Sequence, residues 1–132
     1  MLPSLWDFME ALDAHLRTSL STVTVFVGVQ PDVLPATGYV VADLAAADEW
    51  ADRANGLTSA ASTPVILRCC GVSQQQAINT MDLVAGAMRD WQPFPEQHVS
   101  RMRLTNAGPI VLDDSIKTDR RWSISLTYRF DS

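Results

Sequence analysis

The sequence predicts an α+β domain: a mostly antiparallel β-sheet with two amphipathic helices packed on one face and a long excursion after the second strand. Three observations carry this prediction. Two segments place apolar residues at helical spacing, over residues 5–16 and 77–88. Several short segments rich in valine, isoleucine and aromatics read as strands, the clearest alternating apolar and polar residues. The order is helix, two strands, strand, helix, strands, without the regular strand–helix alternation that builds a parallel sheet.

In the first helix, Leu5, Phe8, Met9, Leu12 and Leu16 share one face. Ser4 is placed to cap it, with Asp7 and Glu10 near the positive end of the helix dipole and His15 and Arg17 in the last turn. Val23 to Val29 reads as a strand, and Phe26, on its less apolar side, predicts cover over that face too, with a helix as the candidate. Pro31, Pro35 and Gly38 make 30–38 a loop, and Tyr39-Val40-Val41 resumes as a short strand. Residues 43–62 admit two readings. One is a helix capped by Asp43 and stopped at Asn55-Gly56. The favoured one is a long arm or loop with at most a few helical turns, because the apolar face is thin.

Thr63 to Cys70 is a strand ended by Gly71. Ser73 caps the second helix, whose apolar face is Ala77, Ile78, Met81, Val84, Ala85 and Met88 and which Trp91, Pro93 and Pro95 stop. Val99 to Thr105 is a strand with Arg101 and Arg103 on one side and Met102 and Leu104 on the other. Asn106 to Pro109 is a turn, Ile110 to Leu112 a short strand, and 113–121 a polar loop. In the last strand, Trp122, Ile124, Leu126, Tyr128 and Phe130 alternate with Ser123, Ser125, Thr127 and Arg129. That is the pattern of a half-solvated antiparallel sheet.

Composition bounds the function without naming it. The chain has 132 residues, 47% of them hydrophobic, which fits one domain, here 1–132, and excludes intrinsic disorder. No apolar run approaches the roughly 20 residues of a membrane span. Fifteen acidic against ten basic residues give a net charge of −5, which argues against a protein whose main work is gripping phosphates. The adjacent Cys69 and Cys70 have neither zinc nor redox spacing and read as packed, reduced thiols on opposite faces of a strand.

Chemistry-bearing constellations are missing. His15 and His98 lie 83 positions apart and read as ordinary surface residues. The six glycines are scattered, so no phosphate-binding loop forms, and there is no nucleophile elbow. No catalytic residue, metal site or cofactor is expected. Asp113 and Asp114 read as a solvated pair. Lys117, Arg120 and Arg121 admit a phosphate contact, but nearby acids favour pairing within the loop or with a neighbouring subunit. Trp50 sits in the acidic, alanine-rich excursion beside Asp52 and Arg53. It either anchors an interface, where tryptophan is enriched, or folds back to cap the core.

The layout also resembles a family. A valine strand and Pro-rich turn lead to a "YVV" strand and an excursion carrying Ala51-Asp-Arg-Ala-Asn-Gly-Leu57. A strand ending in Cys-Gly precedes the helix of "GVSQQQAINTMDLVAGAM", and a Trp-Ser-Ile-Ser-Leu-Thr-Tyr-Arg strand follows a charged loop. This looks like the tail terminator proteins of long-tailed bacteriophages, especially of actinobacterial hosts, over nearly the whole chain. Gly71 to Ala77 and Ala51 to Leu57 are the most telling pieces. The chain departs from that pattern after Val41, where many relatives have a Pro-Gly turn and this one has Asp43-Leu-Ala-Ala-Ala.

The resemblance implies a non-enzymatic virion protein, assembled in the host cytoplasm. It implies a homohexameric ring on the head-proximal end of the tail tube, halting tube polymerisation and docking the neck. Its partners would be itself, the major tail tube protein and neck or head-completion proteins. Genomic DNA would pass the lumen without specific binding, and no membrane would be involved. A ring needs head-to-tail contacts that close by rotation. Trp50, Asp52 and Arg53 from the excursion, and Asp113, Asp114, Lys117, Arg120 and Arg121 from the loop, are the candidates to supply them. A net-acidic chain without a basic stripe in its sequence suits a passage for DNA. Two other readings stand beside this one. A head-completion or other neck ring protein would bind the portal or its adaptor. A small ligand-binding or enzymatic α+β domain would show a pocket with converging polar groups and perturbed pKa values.

Overall fold

A computed structural model describes residues 5–28, 33–44, 62–89, 91–94, 101–113 and 120–131. The elements run α1 (Leu5–Ser19), β1 (Thr24–Val27), β2 (Tyr39–Leu44), β3 (Ser62–Gly71), α2 (Gln74–Met88), β4 (Arg103–Ala107), β5 (Val111–Asp113) and β6 (Arg121–Asp131). All six strands join one sheet in the order β1-β2-β3-β6-β4, with β5 also on β6. The fold is α+β, as the patterning predicts.

Every pairing is antiparallel except β1 with β2, which run parallel with Thr24 beside Tyr39. Parallel neighbours need a crossover of about a dozen residues. The chain from Gly28 to Gly38 supplies it, and Gly28 opens it with φ +75, a left-handed conformation that glycine adopts without strain.

The register shows how the core is built. Val40, Cys69 and Ile124 form one cross-strand row, and Ala42, Leu67 and Leu126 the next. Apart from Ile124, these side chains share one buried cluster with Phe8, Leu12 and Leu16 of α1 and Val84 and Met88 of α2. Both helices therefore cover the same face. On the other face Tyr39, Val41 and Cys70 form a smaller buried cluster with Phe26 and Leu34 against it. Phe26 does find cover there, from Tyr39 at 6.1 Å edge-on and from the loop residue Leu34 rather than from a helix.

Several boundaries and one face differ from the sequence reading. Strand β2 continues through Asp43 and Leu44, because β3 offers Ile66 and Val65 as partners where a helix cap was conceivable. The excursion shortens accordingly, and residues 45–61 lie outside the described residues. Strand β1 is shorter than the expected Val23 to Val29. Strand β4 runs Arg103–Ala107, later than expected, and takes Asn106 and Ala107 from the predicted turn. The eleven residues of β6 still present pairing groups there, and Gly108 N donates to Ser125 O at 2.8 Å. The buried stripe of α2 is Ala77, Thr80, Val84 and Met88, with Ile78 outside it. Thr80 is tolerated inside because its hydroxyl reaches Gln76 O at 2.8 Å and Cys70 O at 3.4 Å.

His15 is not the plain surface residue that its position suggests. Its ring stacks on Trp91 at 4.2 Å and 3°, and its Nε2 lies 2.7 Å from Ala87 O at the end of α2. Trp91 also lies 6.4 Å from Phe8 in a stacked arrangement, so one tryptophan beyond α2 locks the two helices together.

Cys69 and Cys70 are free, buried and on opposite faces, as the strand reading expects. Burial, then the neighbouring Cys70, pushes the Cys69 thiol well above its ordinary 9.0. Tyr39 is raised by burial, then by Cys70 through charge and hydrogen bonding, against Arg121 and Arg68. Tyr128 is raised by burial, then by Cys69, against Arg89. All three hold their protons in the folded chain where the unfolded chain loses them. Their contribution to stability is therefore complete below about pH 9 and declines as the pH rises through the unfolded values. Denaturant midpoints near pH 7 and near pH 10 should fall at the alkaline end. Equal midpoints would refute this.

Candidate subunit-interaction surfaces

The sequence-derived interface candidates fall into two groups. Trp50, Asp52, Arg53, Asp114 and Lys117 lie outside the described residues. The others surround the start of β6. Asp113 ends β5 in register with Arg121. Arg120 is exposed, and its carbonyl accepts from Arg121 Nη1 at 2.8 Å. Arg121 reaches across the open face of the sheet and donates through Nη2 to Pro35 O at 3.0 Å and Leu34 O at 3.5 Å. It thereby ties β6 to the loop that precedes β2.

The structure adds surfaces that the sequence reading missed. Along α1, Trp6, Glu10, Asp13 and Arg17 form a second row beside the buried Phe8-Leu12-Leu16 row, at spacings of 4, 3 and 4. Trp6 Nε1 donates to Glu10 at 2.9 Å, and Arg17 Nε donates to Asp13 at 2.7 Å. Trp6 nevertheless keeps 62% of its surface exposed. A groove of about 290 Å³ runs between this row and Phe26 and Val27 of β1. The signal for Trp6 was available: a tryptophan that is off the apolar stripe at the start of an amphipathic helix has no core to enter.

At the other end of the sheet, every residue of β4 is exposed. Register sets Arg103 directly opposite Arg129, and Leu104 opposite Tyr128. Leu104 is half exposed and borders a groove of about 330 Å³ with Met88, Arg89 and Met102. Arg68 and Arg121 alternate in phase with Arg129, so arginines scattered in the sequence share the open face. Asp43 pairs with Arg68 at 3.5 Å. The sequence shows no basic stripe, but pairing of the strands gathers basic residues on this face. Register thus sets Arg103 and Arg129 side by side at this edge, which carries positive charge.

Neither sheet edge is open to simple strand addition. On β1 the outward carbonyl of Val25 accepts from Arg17 Nη2 at 3.0 Å. On β4 the register breaks between Leu104 and Asn106, and Thr105 Oγ1 donates to Thr127 O at 3.2 Å. A bulge and a capped carbonyl are both known ways of protecting an edge.

Among the described residues, no group of three His, Cys, Asp or Glu is placed to hold a metal ion. The groups with raised pKa values, Tyr39, Cys69 and Tyr128, are core residues shifted chiefly by burial; Tyr128 borders the groove beside Leu104, and Tyr39 and Cys69 do not. Among the described residues no helix is long and apolar enough to cross a membrane.

No family model matches the chain, and no curated protein matches it. Solved structures similar to it include a virion chain and a sheath/tube terminator. One is a chain in the virion of a native gene transfer agent particle, at 20% identity and TM-score 0.46, with 96% of this chain and 91% of that chain covered. The other is a cryo-EM structure of an extracellular contractile injection system, the PVC sheath/tube terminator in its extended state. It matches at 16% identity and TM-score 0.47, with 98% of this chain covered. This chain spans 57% of that one's length. At these identities and scores neither likeness assigns a function to this chain.

Proposed function

We propose that the chain is a structural virion protein, a tail terminator that forms a homohexameric ring on the head-proximal end of a phage tail tube. In this role it halts tube polymerisation and presents the docking surface for neck or head-completion proteins. It carries no cofactor and no catalytic centre, and genomic DNA passes through its lumen.

The reading starts from the layout that resembles tail terminators. The observation that carries it is the number of large apolar side chains left outside the core: Trp6, Val72, Ile78, Leu83, Leu104 and Val111 are all exposed. They lie on both helices, before the start of α2, and on β4 and β5 along one edge of the sheet. Such side chains scattered singly are ordinary, but Trp6 and Leu104 each border a groove beside charged residues, which fits burial against a neighbour.

Native mass measurement and negative-stain imaging of the purified protein, alone and with tail tubes, test the proposal. Rings that bind tube ends support it. Monomers at high concentration that leave tube ends bare refute it, and rings that bind only a portal or its adaptor assign the chain to the neck instead. Trp50→Ala should weaken the ring at least about tenfold, as interface tryptophans do, and leave the melting temperature unchanged. A chain unfolded by that substitution places Trp50 in the core.

A further inference from the structure

Charge is polarised along this chain. Residues 1–52 hold eight acidic residues and one basic residue, and residues 53–132 hold seven acidic and nine basic. Among the described residues, part of that division is also spatial. Helix α1, with exposed Asp7 and Glu10, lies against β1 at one edge of the sheet, and the Arg101-to-Leu104 segment forms the opposite edge. Each edge joins charge to an exposed apolar side chain: Trp6 beside the acids, Leu104 beside the arginines.

Two unlike, complementary surfaces on opposite edges of one subunit are what a head-to-tail contact requires; a two-fold dimer would use one surface against itself. The capped Val25 carbonyl and the β4 bulge disfavour strand addition, so side chains are the natural means of contact. We propose that copies of this chain associate through these two edges, the α1 edge of one copy, with Trp6, Asp7 and Glu10, receiving the arginine-flanked Leu104 edge of the next. The occupant is a second copy, on three grounds. The charges are complementary, an apolar side chain stands ready on each side, and the two surfaces lie at opposite ends of the strand order. The proposal rests on the ring reading and specifies which surfaces form the ring.

Two variants test it. Asp7→Lys with Glu10→Lys makes both edges basic, and Arg101→Glu with Arg103→Glu makes both acidic. All four positions are exposed, and unchanged circular dichroism melts confirm folding. Sedimentation should show each variant alone associating at least about a hundredfold more weakly than the parent chain, because juxtaposed like charges oppose binding strongly. Mixed in equal amounts, the two variants should assemble again in alternation. If either variant alone assembles like the parent, or if the mixture of folded variants stays monomeric, the edge pairing is wrong while the ring reading stands. If the parent chain itself is monomeric at every concentration, the ring reading falls and takes the pairing with it.

Discussion

Leu67→Ala should lower stability by about 3–4 kcal/mol, the range for truncating a fully buried leucine in a core that cannot collapse. Leu67 is 0% exposed, in the middle of the ten-residue β3. Its cross-strand neighbours are Ala42 and Leu126. Ala42 has only a methyl group, which cannot swing into the vacated space, and the backbone on both sides is held by antiparallel ladders. Ile66, one residue earlier, points to the other face and keeps 38% of its surface in solvent. Ile66→Ala removes as many carbons but should lower stability by only about 1 kcal/mol, because little apolar area returns to water. At this chain length 1 kcal/mol corresponds to roughly 3–5 °C in melting temperature, so the two variants should separate by about 10 °C. Equal shifts for both would mean that the described register is wrong.

That pair of residues also shows what sequence can and cannot reveal. Periodicity reads out face, and it does so well for α1 and β6. Phe8, Leu12 and Leu16, and Ile124, Leu126 and Tyr128, are all buried as the spacing requires. On α2 it places Ala77, Met81, Val84, Ala85 and Met88 towards the core but wrongly includes Ile78, and it misses Thr80 because the periodic signal counts only apolar residues. Thr80 joins the buried stripe on the strength of two hydrogen-bond acceptors, Gln76 O within its own helix and Cys70 O, which only the packing of α2 on β3 supplies. The parallel β1–β2 pair is equally hidden, since a strand's own residues do not state the direction of its neighbour.

The same limit governs the interaction surfaces. Arg103 and Arg129 are 26 positions apart and meet only through the β4–β6 register, including its bulge. His15 and Trp91 are brought together by the crossing of α1 with the end of α2. Trp50, Asp52 and Arg53 were chosen because a tryptophan in an alanine-rich acidic segment lacks local burial. That reasoning applies equally to Trp6, where a helical wheel shows the same mismatch. Residues read singly therefore point to an interface. Only the assembled sheet shows that acidic and basic surfaces occupy opposite edges.

Gly71→Ala is the second large effect, and it concerns the Gly-Val-Ser-Gln-Gln-Gln-Ala segment on which much of the resemblance rests. A Cβ at Gly71 would stand 2.7 Å from Ala77 N, 2.8 Å from Gln76 Cβ and 2.9 Å from Gln76 C. These atoms belong to the first turn of α2, and that turn is fixed from three directions. Ser73 Oγ accepts from Gln76 N at 3.1 Å, Gln76 Oε1 accepts from Val72 N at 2.7 Å, and Thr80 Oγ1 is bonded to Gln76 O. The clash therefore cannot be relieved by rotating a side chain; the helix start must move off the strand. Overpacking of this kind lowers stability by about 2–3 kcal/mol. The internal control is Gly86, an exposed glycine within α2 with nothing within 4 Å of its added Cβ. Gly86→Ala should raise stability by about 0.5–1 kcal/mol, since alanine loses less backbone entropy on entering a helix. The same substitution should thus have opposite signs fifteen residues apart. If Gly71→Ala proves neutral, α2 does not sit against the end of β3, and the buried Ala77-Thr80-Val84-Met88 stripe loses its anchor.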